Sequence, residues 1–305
     1  MKILIIGGTR FVGLAMTHEA LSRGHDVTVF HRSSNIPAGT ENATHVQGDR
    51  LVDLAQLAGS QWDVVIDVCA YRPNEVAIVA EALGTVTQKY VLVSTVSVYD
   101  EAIAHRSDED GPLTSTAEVS DLDVATVPVM DHYGALKVLC EQAATQGFAN
   151  LLIIRPTYVV GPNDYTHRFT AWVDRISRGG VVDVPEPQSA SLQLIDVRDL
   201  ASFTMDAIDQ GLTGPFHVAS PSGGLAFSEV MRTIAVAMGE SAASLNWISV
   251  EEARESGQAF PLWSEGEDTG ILALDTSRAL AAGLVVRDLA VTISDISAEL
   301  GANQS

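Results

Sequence analysis

The chain opens on a short β-branched run, Lys2 to Ile6, and breaks at once into Gly7-Gly8-Thr9-Arg10-Phe11-Val12-Gly13 before apolar residues resume at helical spacing from Val12 to Ser22. A strand that turns this sharply into a helix has few architectures open to it. The helix must pack back across a sheet in which the strand is covered on both faces. Gly7 permits the tight turn, and Gly13 lets the helix lie close on the sheet. The same turn directs backbone N–H groups and the positive end of the helix dipole outward, where a pyrophosphate can sit. Gly7, Thr9, Arg10, Phe11, Val12 and Gly13 are therefore candidate residues for a bound dinucleotide, with Arg10 standing where the usual fingerprint has its middle glycine.

The rest of the first half repeats the theme. Strands are expected at Val27 to Phe30, Asp63 to Val68, Tyr90 to Ser94 and Leu151 to Arg155, with helices at Asn74 to Leu83 and His132 to Ala144 between them. Near-continuous apolar strands alternating with amphipathic helices predict an α/β chain: a Rossmann-type doubly wound parallel sheet. After Gly161 the alternation loosens into strands at Val181 to Val184 and Leu192 to Ile195 and helices at Phe169 to Ser177 and Val197 to Ile208. This change predicts a dinucleotide-binding domain from 1–161 with 190–219. A smaller C-terminal α/β substrate-binding region is expected from 162–189 with 220–305. Ser107 to Thr126 is expected as a long loop, its acidic Asp108-Glu109-Asp110 solvated.

Composition narrows the classes. Of 305 residues, 39 are acidic and 18 basic, a net charge of −21 that repels phosphate backbones and anionic membrane surfaces. No nucleic-acid or membrane partner is expected. Cys69 and Cys140 both lie in apolar runs and read as buried small hydrophobes in a reducing, cytoplasmic setting. His18, His25 and His45 lack metal-ligand spacing, so no metal is expected.

Two further features carry chemistry. The second strand ends at Phe30-His31-Arg32, about 20 residues past the glycine turn, where an acidic residue would grip the ribose 2′-hydroxyl of NAD. His31 stands there instead, and Arg32, with Arg10, would pair with the extra phosphate of NADP, the cofactor expected here ahead of NAD. Tyr133 and Lys137 lie four apart, on one helical face. An ammonium beside a phenol favours its phenolate, turning a group of pKa about 10 into a usable proton carrier.

With these motifs in place, the chain resembles the short-chain dehydrogenase/reductase superfamily, in its extended and atypical NAD-dependent epimerase/dehydratase branch. Val91-Leu92-Val93-Ser94-Thr95-Val96-Ser97-Val98-Tyr99 is similar to the branch's run ending in Val-Tyr-Gly and aligns Thr95 with the catalytic Ser/Thr, Ser94 and Ser97 being the alternatives. Arg155-Pro156 through Gly161-Pro162 resembles the segment whose backbone flanks the nicotinamide, Gly48-Asp49 the pair that meets adenine, and Asp196 to Ala201 the branch's helix start. The resemblance implies that Thr95, Tyr133 and Lys137 are catalytic. It adds Asp49, Ala70 and Pro156 to the cofactor residues, with Tyr133 and Lys137 also touching cofactor. Ser97, Arg168, Trp172 and Trp263 are expected at the substrate. Leu192 occupies the position where nucleotide-sugar members place a phosphate-gripping arginine.

The implied activity is hydride transfer between nicotinamide and a carbonyl or alcohol carbon of a small or sugar-like substrate. An epimerase or dehydratase with tightly held cofactor is the alternative, and a non-catalytic NADP-binding regulator a second. The resemblance also implies a homodimer.

Overall fold

The computed structural model describes residues 1–100, 102–239, 243–265 and 269–303. A seven-stranded sheet, parallel throughout, forms its frame: β1 (Lys2–Ile6), β2 (Asp26–His31), β3 (Thr44–Gln47), β4 (Trp62–Asp67), β5 (Thr87–Val93), β6 (Leu151–Pro156) and the later strand β11 (Gly214–Val218). Their order across the sheet is β11-β6-β5-β4-β1-β2-β3. After β1 the chain runs outward to β2 and β3, then returns to the other side of β1 for β4. The crevice at the carboxyl ends of β1 and β4 is thus the switch point where ligands bind in open α/β sheets.

Strand alternation sorts the core. Ile3 and Ile5 face Met16 and Ala20 of α1 (Phe11–Ser22) and Leu200 and Phe203 of α5 (Val197–Asp209). Leu4 and Ile6 face the opposite way, sharing a core with Val76 and Val79 of α2 (Pro73–Leu83) and Cys140 and Ala144 of α3 (Tyr133–Gly147). Pro73 opens α2 at a position where a missing N–H costs nothing, and Glu75 accepts from the backbone N–H groups of Tyr71 and Arg72 at 2.7 and 3.2 Å. This is the doubly wound fold expected from the alternation.

The second half supplies β7 (Tyr158–Val160), α4 (Arg168–Ser177), β8 (Gly180–Pro185), β9 (Ser191–Leu192), β10 (Leu194–Asp196), β12 (Leu225–Ala226), α6 (Phe227–Ala237), β13 (Ala243–Ile248), α7 (Val250–Glu255), α8 (Ser277–Ala281) and α9 (Leu289–Asn303). A parallel pair, β8 and β13, lies beside a core built from α4, α6 and α9, with Trp172, Phe227 and Ile293 inside it.

Three local expectations are corrected. The strand expected at Leu192 to Ile195 divides at Gln193, whose buried amide donates to the carbonyls of Ser220 and Leu274 and accepts from Leu274 N. That commitment splits the run: β9 pairs antiparallel with β12, and β10 pairs parallel with β7. Glu109, expected in solvent, is buried; it accepts from His217 N at 3.0 Å and fastens the long loop to β11. Cys69 is half-buried and lines the crevice, while Cys140 is buried as expected.

Candidate active site

A 530 Å³ crevice runs over the carboxyl ends of β1, β2 and β4. Its floor is the glycine turn. A Cβ on Gly13 would stand 2.1 Å from the Gly7 carbonyl oxygen, so only glycine lets α1 return this closely over the strand. Thr17 Oγ1 donates to the carbonyls of Gly8 and Gly13, each at 2.9 Å, and pins the turn from behind. Phe11 adopts φ +38°, a backbone a bulky residue rarely takes, so the turn stores local strain where the ligand would sit. Arg10 places its guanidinium 4.5 Å from the Tyr165 ring centroid, and Phe11 meets the same ring edge-on at 6.3 Å.

At the other end of the crevice lie His31, Arg32 and Asp49. His31 is buried, and its Nε2 meets His45 Nδ1 at 2.9 Å, while His45 Nε2 lies 3.0 Å from the Thr40 carbonyl. With His45 Nε2–H donating to that carbonyl, His31 Nε2–H is placed to donate to His45 Nδ1. Burial, then the neighbouring His45, holds the His31 imidazolium below its usual range. Arg32 is exposed at the rim. No carboxylate occupies the end of β2.

A second cavity of 240 Å³ adjoins the turn, sharing Phe11, Val12, Tyr71 and Tyr165 with the crevice. It brings together Thr95 and Ser97 after β5, Tyr133 and Lys137 on α3, Pro156 at the end of β6, and Arg168. Gly134 explains the approach: a Cβ there would lie 2.3 Å from the Ser97 carbonyl oxygen, so α3 can start only where glycine follows Tyr133. Thr95 Oγ1 accepts from Ser97 N at 3.1 Å and lies 3.2 Å from Ser97 Oγ. Lys137 is buried, its Nζ donating to the carbonyls of Ala70 at 2.8 Å and Val93 at 2.9 Å. It thereby ties α3 to the ends of β4 and β5. Ala70 contributes this carbonyl, and its side chain lies in the core.

The cavity carries two unpaid hydroxyls. Ser94 Oγ and Thr157 Oγ1 are buried without a hydrogen-bond partner. Such groups cost about 1–3 kcal/mol each when unsatisfied. With the Gly13 cradle and the adjoining crevice, they fit a dinucleotide whose polar ring end would complete them.

Two of the expected substrate residues stand elsewhere. Trp172 is fully buried in the second core, its indole N–H donating to the Pro261 carbonyl at 2.6 Å. Trp263 packs edge-on against Phe260 and donates to the Glu186 carbonyl at 2.9 Å. Both serve apolar packing and lie outside the described lining of the cavity.

Sequence reading missed Arg50, Tyr71 and Tyr165. Arg50 lines the crevice and forms a buried pair with Asp67, Nη2 to Oδ2 at 2.6 Å. Burial alone would raise the Asp67 carboxyl; the Arg50 charge and hydrogen bonds outweigh it and hold the group below its usual range. Tyr90 Oη donates to the same oxygen at 2.8 Å. Burial, with the Asp67 charge, pushes the Cys69 thiol up to about 11, so it stays protonated. Arg50 immediately follows the Gly48-Asp49 pair, which was its one sequence signal.

A glycine turn at the switch point of a doubly wound sheet, with a Tyr/Lys helix beside it, defines a Rossmann-type dinucleotide-binding protein. More narrowly, the chain belongs to the NAD dependent epimerase/dehydratase family, whose sequence profile matches residues 3–218. It is 29% identical over 224 residues to the chloroplast stem-loop binding protein of 41 kDa b of Arabidopsis thaliana, an alignment covering 68% of this chain and 55% of that protein. The chain spans about half the length of the curated relatives it matches. Among solved structures it is similar to a putative epimerase from Burkholderia cenocepacia (TM-score 0.75, 18% identity, 97% of each chain). It is also similar to the Bordetella bronchiseptica enzyme WbmH in complex with NAD+ (TM-score 0.71, 19% identity, 97% of each chain). Among the described residues, no helix is long and apolar enough to cross a membrane, and no three His, Cys, Asp or Glu side chains form a metal cluster.

Proposed function

We propose that the chain is a nicotinamide-dependent enzyme that oxidises a secondary alcohol or reduces the matching ketone, with Tyr133 as the proton carrier. The observation that supports this reading is the convergence of Thr95, Tyr133 and Lys137 on one cavity that opens into the glycine-turn crevice. Gly7, Thr9, Arg10, Phe11, Val12 and Gly13 would cradle the pyrophosphate, His31, Arg32 and Asp49 the adenosine end, and Ala70, Pro156 and the unpartnered Ser94 and Thr157 hydroxyls the nicotinamide end. When bound, the nicotinamide supplies a hydride acceptor or donor.

The protein's part is proton transfer and orientation. Tyr133 Oη passes a proton to or from the substrate oxygen. Thr95 Oγ1, already held by Ser97 N, hydrogen-bonds that oxygen and fixes its lone pairs toward the phenol. Lys137, with two donors on Ala70 and Val93, would offer its remaining donor to the ribose.

Family membership favours one variant of this chemistry, in which the hydride returns to the same substrate within a turnover, as in an epimerase. That variant predicts nucleotide retained through purification and released on denaturation. At the rim, the missing carboxylate at the end of β2 and the exposed Arg32 support NADP over NAD. Calorimetry should show tighter NADP binding, lost on Arg32→Ala; tighter NAD binding by the unsubstituted chain would refute this preference. For the reaction, Tyr133→Phe should lower turnover by about 10²-fold or more while cofactor affinity changes less than about twofold. Equal turnover would end the assignment.

A further inference from the structure

The charges that line the cavity of Thr95 and Tyr133 are opposite in sign to the charge of the whole chain. Among the described residues that line the cavity holding Thr95 and Tyr133, only Lys137 and Arg168 are charged, and both are cations. This holds in a protein of net charge −21. Lys137 is turned inward onto two carbonyls. Arg168 is the cation left to face a substrate.

Its geometry is prepared for one. The guanidinium lies over the Tyr158 ring at 5.0 Å, and Nε donates to Thr166 Oγ1 at 3.2 Å. The stack and the Nε bond fix the plane of the fork, and neither Nη nitrogen has a carboxylate partner among the described residues. Arg23, Arg50, Arg155, Arg178, Arg198 and Arg287 each have one, whereas Arg168 lacks one among the described residues, as Arg10, Arg32 and Arg72 do, and of these four it alone lines the cavity. An arginine with a fixed plane and no carboxylate partner, at the mouth of this cavity, is suited to bidentate recognition of an oxyanion.

The surroundings decide which oxyanion. A second 540 Å³ pocket shares Ser97, Tyr133 and Ile271 with the cavity and presents Asp100, Glu118 and Asp131, which would repel a diphosphate tail. The cavity itself measures 240 Å³ and must also take the ring end of the cofactor.

We infer that the substrate is a compact hydroxy- or keto-carboxylate, its carboxylate held by the Arg168 fork and its hydroxyl or ketone placed at Thr95 and Tyr133, and that it is not a nucleoside-diphosphate sugar. This rests on the function proposed above for the same site.

Calorimetry on cofactor-saturated protein tests it, with 3-hydroxybutyrate, inorganic phosphate and UDP-glucose as probes. The hydroxy acid should give saturable binding that weakens about tenfold or more in Arg168→Gln, recovers in part in Arg168→Lys, and persists in Tyr133→Phe. Phosphate and UDP-glucose should bind more weakly than the hydroxy acid. Three results would overturn the inference: no saturable binding of 3-hydroxybutyrate, the same affinity in Arg168→Gln confirmed as folded by circular dichroism, or tighter binding of phosphate or UDP-glucose. Cofactor binding is measured first in the same samples. Its failure would count against the proposed function, whereas normal cofactor binding with no anion preference would sink this inference alone.

Discussion

Arg50 and Asp67 show what a single buried charge pair does for this molecule. The carboxylate is fully buried at the end of β4, receives two guanidinium nitrogens and the Tyr90 hydroxyl, and accepts from Cys69 N at 3.2 Å. Removing one member leaves the other charge in a low-dielectric site, so Asp67→Asn should cost about 3–5 kcal/mol in urea unfolding. Loss of less than about 1 kcal/mol would mean that solvent reaches the pair. His217 makes a second test. Its Nδ1 lies 2.7 Å from the Asp275 carbonyl and its Nε2 accepts from Tyr99 Oη, which fixes a neutral ring. Burial holds the imidazolium below the usual 6.5, so the folded chain binds fewer protons than the unfolded one beneath that pH. The stability this group protects is present above about pH 6.5 and is lost as pH falls. Melting temperature should therefore drop less between about pH 7.5 and pH 5.5 in His217→Gln than in the parent chain; an equal drop would remove His217 from the acid response. Neither partnership was readable in sequence, because Arg50 and Asp67 lie 17 residues apart and Tyr99 and His217 lie 118 apart.

Local patterns announced themselves where one element carries the whole signal. The strands β1, β2, β4, β5 and β6 and the helices α1, α2 and α3 are sequential apolar and amphipathic runs, and each lies within a few residues of where periodicity puts it. The two edge strands were missed for physical reasons. Thr44–Gln47 is short and half polar, and Gly214-Pro215 opens β11 with residues that read as a turn. The division of β9 from β10 depends on where one buried glutamine finds partners 27 and 81 residues away. Gly13 marks the most demanding contact between α1 and β1. Gly13→Ala should destabilise the fold by about 1–3 kcal/mol and abolish detectable dinucleotide binding, since the turn must open to admit a methyl group. Retained affinity in a folded variant would show that the turn is more pliant than its geometry implies.

Across the molecule, the cavity proposed as the catalytic site draws on both halves of the chain. Thr95, Tyr133 and Lys137 come from the sheet side, and Tyr165 and Arg168 from the segment after Gly161. The Tyr133 and Lys137 pair could be proposed from helical spacing, and Thr95 only through the family resemblance, since each motif is contiguous. The placement of Trp172 and Trp263 could not, because an aromatic residue near a proline-containing loop packs against a core as readily as it lines a cleft. Arg10 reaching Tyr165 links the glycine turn to the segment that carries Arg168.

A crystal structure of the chain grown with saturating NADP tests the central claim most directly. The account predicts the pyrophosphate on the turn from Gly7 to Gly13, and the nicotinamide ring in the cavity with Ser94 and Thr157 newly partnered and Tyr133 Oη facing it. A dinucleotide bound elsewhere, or a Tyr133 ring turned out of the cavity with cofactor in place, would contradict it.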